Sequence, residues 1–151
     1  MNRRSLLWAV AASFTLAFTP LPAFAAKAEI YTGLVEGVAV GGYDAVSYFS
    51  GMPVEGKADI TTKWKDAEWR FATAENRDAF VANPDKYAPQ YGGYCAFALS
   101  KGALVKSDPD AWTVVDSKLY LNFNKAVREN WQEDIPGNIS KADGNWPNIL
   151  K

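Results

Sequence analysis

The sequence predicts an α+β domain in which small antiparallel β-hairpins pack with short helices. Two stretches of β-branched and aromatic residues each fold back about a short polar turn, which is the pattern of a hairpin. The segments between and after them begin at capping residues and end near glycine or proline, as short helices do. With 48% hydrophobic and 14% aromatic residues among 151, the chain can bury one core without disulfides.

Residues 1–25 are predicted to be a cleaved signal peptide. Arg3 and Arg4 give a basic start, residues 6–18 are largely apolar, and Ala23-Phe24-Ala25 matches the small-x-small pattern that signal peptidase cleaves. The apolar run is too short and too interrupted to favour a membrane anchor. Paired arginines also resemble a twin-arginine signal, so both the Sec and the twin-arginine routes stay open. We expect a periplasmic protein with no integral membrane segment after cleavage.

Composition excludes several classes of function. The net charge of the full chain is −1, and removing residues 1–25, which hold two arginines and no acids, brings it to −3. A mildly acidic chain lacks the excess of basic residues that is typical of nucleic-acid-binding proteins. The chain has no histidine and one cysteine, so the commonest general base is missing and an internal disulfide is impossible.

Residues 26–151 are predicted to form a single domain with its core at about 41–123. Asp44 precedes a short apolar stretch and is predicted to cap one helical turn, with ligand binding as the alternative. Residues 60–64 and 68–72 flank Lys65-Asp66-Ala67 and predict the first hairpin.

A helix is expected after this hairpin, with Thr73 as its N-cap. It should end by Asn83, because the following proline disfavours helix in the residue before it. Pro84 then suits the first turn of a second short helix through Tyr87. Residues 96–101 predict a third helix, which Gly102 terminates.

The second hairpin is predicted from residues 112–115 and 118–123 about Asp116-Ser117, after a turn at Asp108-Pro109-Asp110. Apolar spacings in residues 124–148 predict a C-terminal helical hairpin or broken helix, interrupted at Pro136-Gly137. We find no internal repeat in the sequence.

One segment order in the chain resembles the YHS domain. Trp69-x-Phe71 is followed by residues 76–80 (Asn-Arg-Asp-Ala-Phe) and by Asn83-Pro84-x-x-Tyr87. The YHS domain is a small metal-associated module of copper-transporting ATPases and some hydroxylases. The resemblance implies a YHS-like core followed by a C-terminal helical segment.

A longer pattern resembles an exported bacterial subfamily known as YHS domain-containing proteins. It runs from Gly42-Tyr43-Asp44 through Tyr91-Gly92-Gly93-Tyr94-Cys95-Ala96 to Asp143-x-x-Trp146-Pro147, and thus covers nearly all of residues 26–151. Some members carry selenocysteine at the position of Cys95. The resemblance therefore implies redox chemistry or soft-metal binding at this position.

The chain departs from the metal-associated members of that family. Their cysteines correspond to Ser47, Ala72 and Asn76, none of which supplies a thiolate for a soft metal. A metal site would need to be built differently, around Cys95 with carboxylate, phenol or methionine partners. The softness of a thiolate makes copper the preferred transition metal.

Cys95 has two interpretations. Gly92-Gly93 permits close approach by a partner and places the thiol at the start of a helix, where backbone amides favour a thiolate. The apolar stretch Ala96-Phe97-Ala98 instead favours an inert, buried thiol that packs as a small hydrophobe.

Three functions follow, of which we favour a non-enzymatic one. The first is a periplasmic binding protein for a transition metal or a small ligand near Cys95. The second is a single-thiol redox protein that uses an external thiol-disulfide partner. The third is a structural envelope module with an inert cysteine. The aromatic set could line a ligand pocket or form a packed core. It consists of Tyr43, Tyr48, Trp64, Trp69, Tyr87, Tyr91 and Tyr94. The candidate ligand-binding residues are Tyr43, Asp44, Trp69, Tyr91, Tyr94 and Cys95.

Overall fold

The computed structural model describes residues 25–151. The predicted signal peptide lies outside the described residues, apart from Ala25. Four strands form two separate two-stranded antiparallel sheets, and five α-helices and several 3₁₀ turns surround them. The predicted α+β class is therefore confirmed. In chain order the elements are β1 (Lys57–Trp64), β2 (Ala67–Phe71), α1 (Ala74–Ala82), α2 (Pro84–Tyr87), α3 (Ala96–Ser100), β3 (Asp108–Val115), β4 (Lys118–Asn122), α4 (Lys125–Gln132) and α5 (Ile135–Asn145).

Both predicted hairpins form. In the first, β1 pairs with β2 across the two-residue turn Lys65-Asp66, whose φ angles are 50° and 59°. In the second, β3 pairs with β4 across Asp116-Ser117, whose φ angles are 50° and 61°. Two consecutive positive φ values characterise the turns whose twist matches that of the flanking strands.

The turn predicted at Asp108-Pro109-Asp110 is wrong, because these residues are the first part of β3. The pairing register with β4 shifts between Asp108 and Trp112, so the proline lies where the ladder is irregular. Proline is tolerated in a strand at such bulges, since no ladder hydrogen bond is needed there.

The helix predictions hold for α1, α2 and α3, and Thr73 Oγ1 accepts a hydrogen bond from Asn76 N at 3.2 Å, as an N-cap should. The C-terminal break lies earlier than predicted, at Glu133-Asp134. Pro136 falls in the first turn of α5, where its missing N–H costs nothing, and Asp134 caps that helix. The predicted interruption at Pro136-Gly137 is therefore wrong in position.

The domain is a tandem repeat, which the sequence analysis did not find. The strands β3 and β4 and the helix α4 begin 51 residues after β1, β2 and α1, respectively. Both hairpins carry a register shift at the corresponding place. The N-caps Thr73 and Asn124 of the two following helices are related by the same interval.

The repeat includes the turn before each hairpin. Val40 and Tyr91 both have positive φ, at 53° and 58°, ahead of a Gly-Gly-Tyr segment. A valine at positive φ is rare, because its branched Cβ crowds the backbone there. The residues after each tyrosine, Asp44 and Cys95, are therefore equivalent in the two halves.

The core connects the two repeats and draws in the segment before them. Leu119 and Leu121 from β4 pack in the cluster formed mainly by the first repeat, and Tyr48 Oη donates to Pro109 O at 2.9 Å. Ile30 is 5% exposed and belongs to the same cluster, so the core extends ahead of the predicted boundary at residue 41. Among residues 25–151, no helix combines the length and apolar character needed to span a bilayer.

Candidate functional site

Cys95 is the N-cap residue of α3 and is only 1% exposed. Its Sγ donates a hydrogen bond to Asn122 Oδ1 at 3.6 Å, and Phe97 N donates to the same oxygen at 3.0 Å. Asn122 Nδ2 has no hydrogen-bond partner within the part of the chain that the structure describes. The sulfur is thus at the predicted helix start, but it is enclosed and faces an amide oxygen.

Asp44 is fully buried, and hydrogen bonds reach both carboxylate oxygens. Oδ1 accepts from Val46 N at 2.9 Å, which is the turn-capping role that the sequence predicted. Oδ2 accepts from Ala72 N at 2.9 Å and from Asn76 Nδ2 at 2.7 Å. The carboxylate therefore also ties its own turn to the entrance of α1, a long-range role that no local pattern indicates.

The positions at which the YHS resemblance places metal-ligating cysteines all converge on Asp44. Ala72 and Asn76 donate to its carboxylate, and Ser47 Oγ donates to its backbone oxygen at 2.6 Å. Backbone amide, side-chain amide and hydroxyl groups that face a carboxylate do not fit a soft metal ion. No group of three potential His, Cys, Asp or Glu ligands comes together within residues 25–151.

The other predicted residues fall in two separate places. Trp69 is 1% exposed, stacks on Phe80 with ring centroids 4.7 Å apart and belongs to the core of the first repeat. Tyr43 packs near Tyr48, also in the first repeat. Tyr94 donates from Oη to Ala28 O at 2.8 Å, in the second repeat. Most of the predicted aromatic set is thus packed core.

Tyr91 is a candidate ligand-binding residue that lines a cavity, and Trp64 of the aromatic set lines the same cavity. The ring of Tyr91 is buried, and its hydroxyl donates to Asp143 Oδ1 at 2.8 Å. Burial raises the pKa of Tyr91 above its ordinary value of 10.0, and the hydrogen bond from its hydroxyl to Asp143 adds to this effect. The phenol therefore stays protonated and fixes the orientation of the Tyr91-Gly92 turn.

A cleft of about 310 Å³ lies beside this turn. Its walls come from both repeats, from the segment before them and from the C-terminal end of α5. We name it the inter-repeat cleft. It is lined by Glu29, Ile30, Trp64, Lys65, Asp85, Ala88, Pro89, Gln90, Tyr91, Gly92, Lys118 and Trp146.

The charges of the inter-repeat cleft balance. Glu29 forms an ion pair with Lys65, whose Nζ also lies 4.6 Å from the ring centroid of Trp64. Asp85 and Lys118 also line the cleft, and neither belongs to an ion pair among the described residues. The cleft thus presents one acidic side chain, Asp85, and one basic side chain, Lys118, that are in no ion pair with another described residue.

The tandem repeat supplies a second groove for comparison. A cavity of about 460 Å³ contains Gly37, Val38 and Ala67, which lie 51 residues before Ala88, Pro89 and Lys118 of the inter-repeat cleft. Its remaining lining is charged and carries no aromatic side chain: Glu36, Lys63, Asp66, Glu68 and Arg70. We call the two grooves equivalent because they correspond at these three lining positions, and of the two only the inter-repeat cleft has indole walls.

Sequence reasoning missed most residues of this cleft. In the sequence Trp146 stands only in a motif, and Glu29, Lys65 and Lys118 are ordinary surface residues. The paired Gly-Gly-Tyr-x-Ala segments at 41–45 and 92–96 were the available signal for the repeat, and so for its second groove.

Comparisons of the chain with protein-family models, with curated proteins and with solved structures found no match.

Proposed function

We propose that this chain is an exported, non-enzymatic binding domain of YHS type that holds a small ligand in the inter-repeat cleft. The observation that carries the proposal is the meeting of two indoles, Trp64 and Trp146, with charged side chains in one cavity. Small-molecule sites typically combine aromatic walls with a few polar groups, and they often form where two structural units meet.

The backbone of the cleft is held in place before any ligand binds. Tyr31 N donates to Gly92 O at 2.9 Å, and the hydroxyl of Tyr91 is fixed by Asp143. Trp64 packs edge-on against Trp69 with ring centroids 5.7 Å apart. Such preorganisation lowers the entropic cost of binding.

The environment of Cys95 supports a ligand site in the cleft rather than at the sulfur. Copper binding and single-thiol exchange with a partner protein both need the sulfur to reach another molecule, and Cys95 is 1% exposed. A structural envelope module with an inert cysteine would share this burial. It differs from our proposal in that no small ligand enters the cleft.

The proposal is tested by NMR on uniformly ¹⁵N-labelled protein comprising residues 26–151, titrated with a library of small polar and aromatic fragments. We expect binding fragments to shift the indole N–H signals of Trp64 and Trp146, and to leave the signal of Trp131, which is fully buried elsewhere, unchanged. Trp146→Leu should abolish the shift of the Trp64 signal, whereas Trp112→Leu, outside the cleft, should preserve the shifts of both signals.

Fragments that shift only signals remote from the cleft, or that bind Trp146→Leu as well as the unaltered protein, would contradict the proposal. Lys118→Ala serves as a second cleft variant, because an exposed lysine can be truncated without disturbing the fold.

A further inference from the structure

Taking the proposed cleft as its premise, we infer that the ligand is a small zwitterion with a flat apolar body, of the size of an aromatic amino acid. Three features of the inter-repeat cleft support this class: its charge balance, its indole walls and its difference from the equivalent groove of the first repeat.

The charge balance favours a ligand that carries both signs. The lining contains two acids, Glu29 and Asp85, and two bases, Lys65 and Lys118. Because Glu29 and Lys65 pair with each other, Asp85 and Lys118 are the groups left to meet a ligand. An anion would gain from Lys118 and be repelled by Asp85, and a cation the reverse. A zwitterion can satisfy both.

The aromatic walls favour a planar apolar body. Trp64 is fixed by edge-on contact with Phe80, with ring centroids 5.8 Å apart. Trp146 is fixed in the same way against Tyr91, at 6.1 Å. An aromatic ligand that pairs with either of these rings gains energy beyond the burial of its area. The volume of about 310 Å³ lies at the lower end of ligand sites, which limits the body to about one ring.

The first repeat shows what this groove is like without these features. Where the inter-repeat cleft has Lys118, the equivalent groove has the small residue Ala67. Its Arg70 is already paired with Glu68 at 2.8 Å. The indoles are thus particular to one groove, as expected for a selective site. A lysine outside the three ion pairs of the described residues lies in each groove, Lys118 in one and Lys63 in the other. The other groove supplies matched controls, of which Lys63 is the most direct.

The test compares three probes that share one ring and differ in charge: L-phenylalanine, 3-phenylpropanoate and 2-phenylethylamine. Binding to residues 26–151 is followed by the indole signals of Trp64 and Trp146. We expect phenylalanine to bind tightest and each singly charged analogue to bind roughly fivefold more weakly, the effect of one exposed ion pair.

Charge variants assign the two ends of the ligand. Lys118→Ala should weaken the binding of phenylalanine and 3-phenylpropanoate and leave that of 2-phenylethylamine unchanged or stronger. Asp85→Asn should have the opposite selectivity. Lys63→Ala, a lysine of the equivalent groove, should change none of the three affinities.

The outcomes separate this inference from the proposed function. If a singly charged analogue binds the cleft as tightly as phenylalanine, the ligand class is wrong and the cleft remains a site. The same holds if the fragment library reaches the cleft and none of the three probes does. If neither the probes nor the library shifts the two indole signals, the ligand class and the proposed function both fail.

Discussion

Asp44 and Cys95 occupy the same position in the two halves of the domain. Their backbone N–H groups donate to Val54 O at 2.9 Å and to Val105 O at 3.0 Å, and each of these pairs is related to the other by 51 residues. In the first half the carboxylate of Asp44 accepts the N–H of Val46. In the second half the thiol of Cys95 is a weaker acceptor than a carboxylate. The equivalent N–H, that of Phe97, donates instead to Asn122 Oδ1 in β4.

Asp44→Ala should be among the most destabilising single changes. It would leave the N–H groups of Val46 and Ala72 and the amide of Asn76 without their acceptor in a buried site. We expect a loss of about 4 kcal/mol in the free energy of unfolding, measured by urea denaturation. The control Asp59→Ala removes an exposed carboxylate and should change stability by less than about 0.5 kcal/mol. Equal effects would show that the buried hydrogen bonds of Asp44 contribute little.

Asn122→Ala should destabilise the domain more than Cys95→Ala. The first change removes the acceptor of both Phe97 N and Cys95 Sγ from a fully buried site, and should cost about 3 kcal/mol. The second removes one sulfur atom and a weak hydrogen bond, and should cost about 1 kcal/mol. Thermal and urea unfolding of both variants gives the comparison. The reverse order would contradict the acceptor role of Asn122.

Gly92→Ala should displace the segment before the repeats. Gly92 has φ +62°, and an added Cβ would overlap the Glu29 carbonyl oxygen. Gly102→Ala is the matched control, since Gly102 has φ +77° and open space around its Cα. The control should cost about 1 kcal/mol for the left-handed backbone alone. Gly92→Ala should lower the free energy of unfolding by more than the control does, and it should accelerate hydrogen exchange of the Tyr31 amide. Equal losses of stability in the two variants would exclude the steric contact.

Stability should fall at alkaline pH because of buried tyrosines. Burial raises the pKa of Tyr48 above its ordinary value of 10.0, so its neutral form is favoured in the folded state. The resulting stability is fully present below pH 10 and is lost as the pH rises further, by up to about 1.4 kcal/mol per pH unit for each such tyrosine. Tyr48→Phe should cost about 1 kcal/mol at pH 7, through loss of the hydrogen bond to Pro109. It should also make the decline above pH 10 shallower in urea titrations. An unchanged slope would contradict the linkage.

Local patterns in the sequence predicted most of the elements. The hairpins, the cap at Thr73 and the helix starting after Cys95 depend on interactions within a few residues, which composition and spacing reveal. The turn at Asp108-Pro109-Asp110 and the position of the C-terminal break were wrong. In both places a proline was tolerated, in one case at a bulge and in the other in the first turn of a helix.

The candidate site could not be predicted in the same way, because long-range contacts assemble it. Lys65 and Lys118 lie at the ends of two different hairpins, and Trp146 follows the last long helix. Nothing in the immediate neighbours of these residues marks them as partners. The repeat that brings them together shares little sequence between its halves beyond the Gly-Gly-Tyr-x-Ala segments.

The hydrogen bond from Lys27 N to Leu150 O, at 2.9 Å, joins the beginning of the described chain to its last residues. Glu29 and Ile30, which follow Lys27, form one wall of the inter-repeat cleft. During synthesis this hydrogen bond cannot form until residue 150 has left the ribosome, by which time both repeats have already emerged. Because Trp146 also lines it, the inter-repeat cleft cannot be complete in a chain that is interrupted before its last residues.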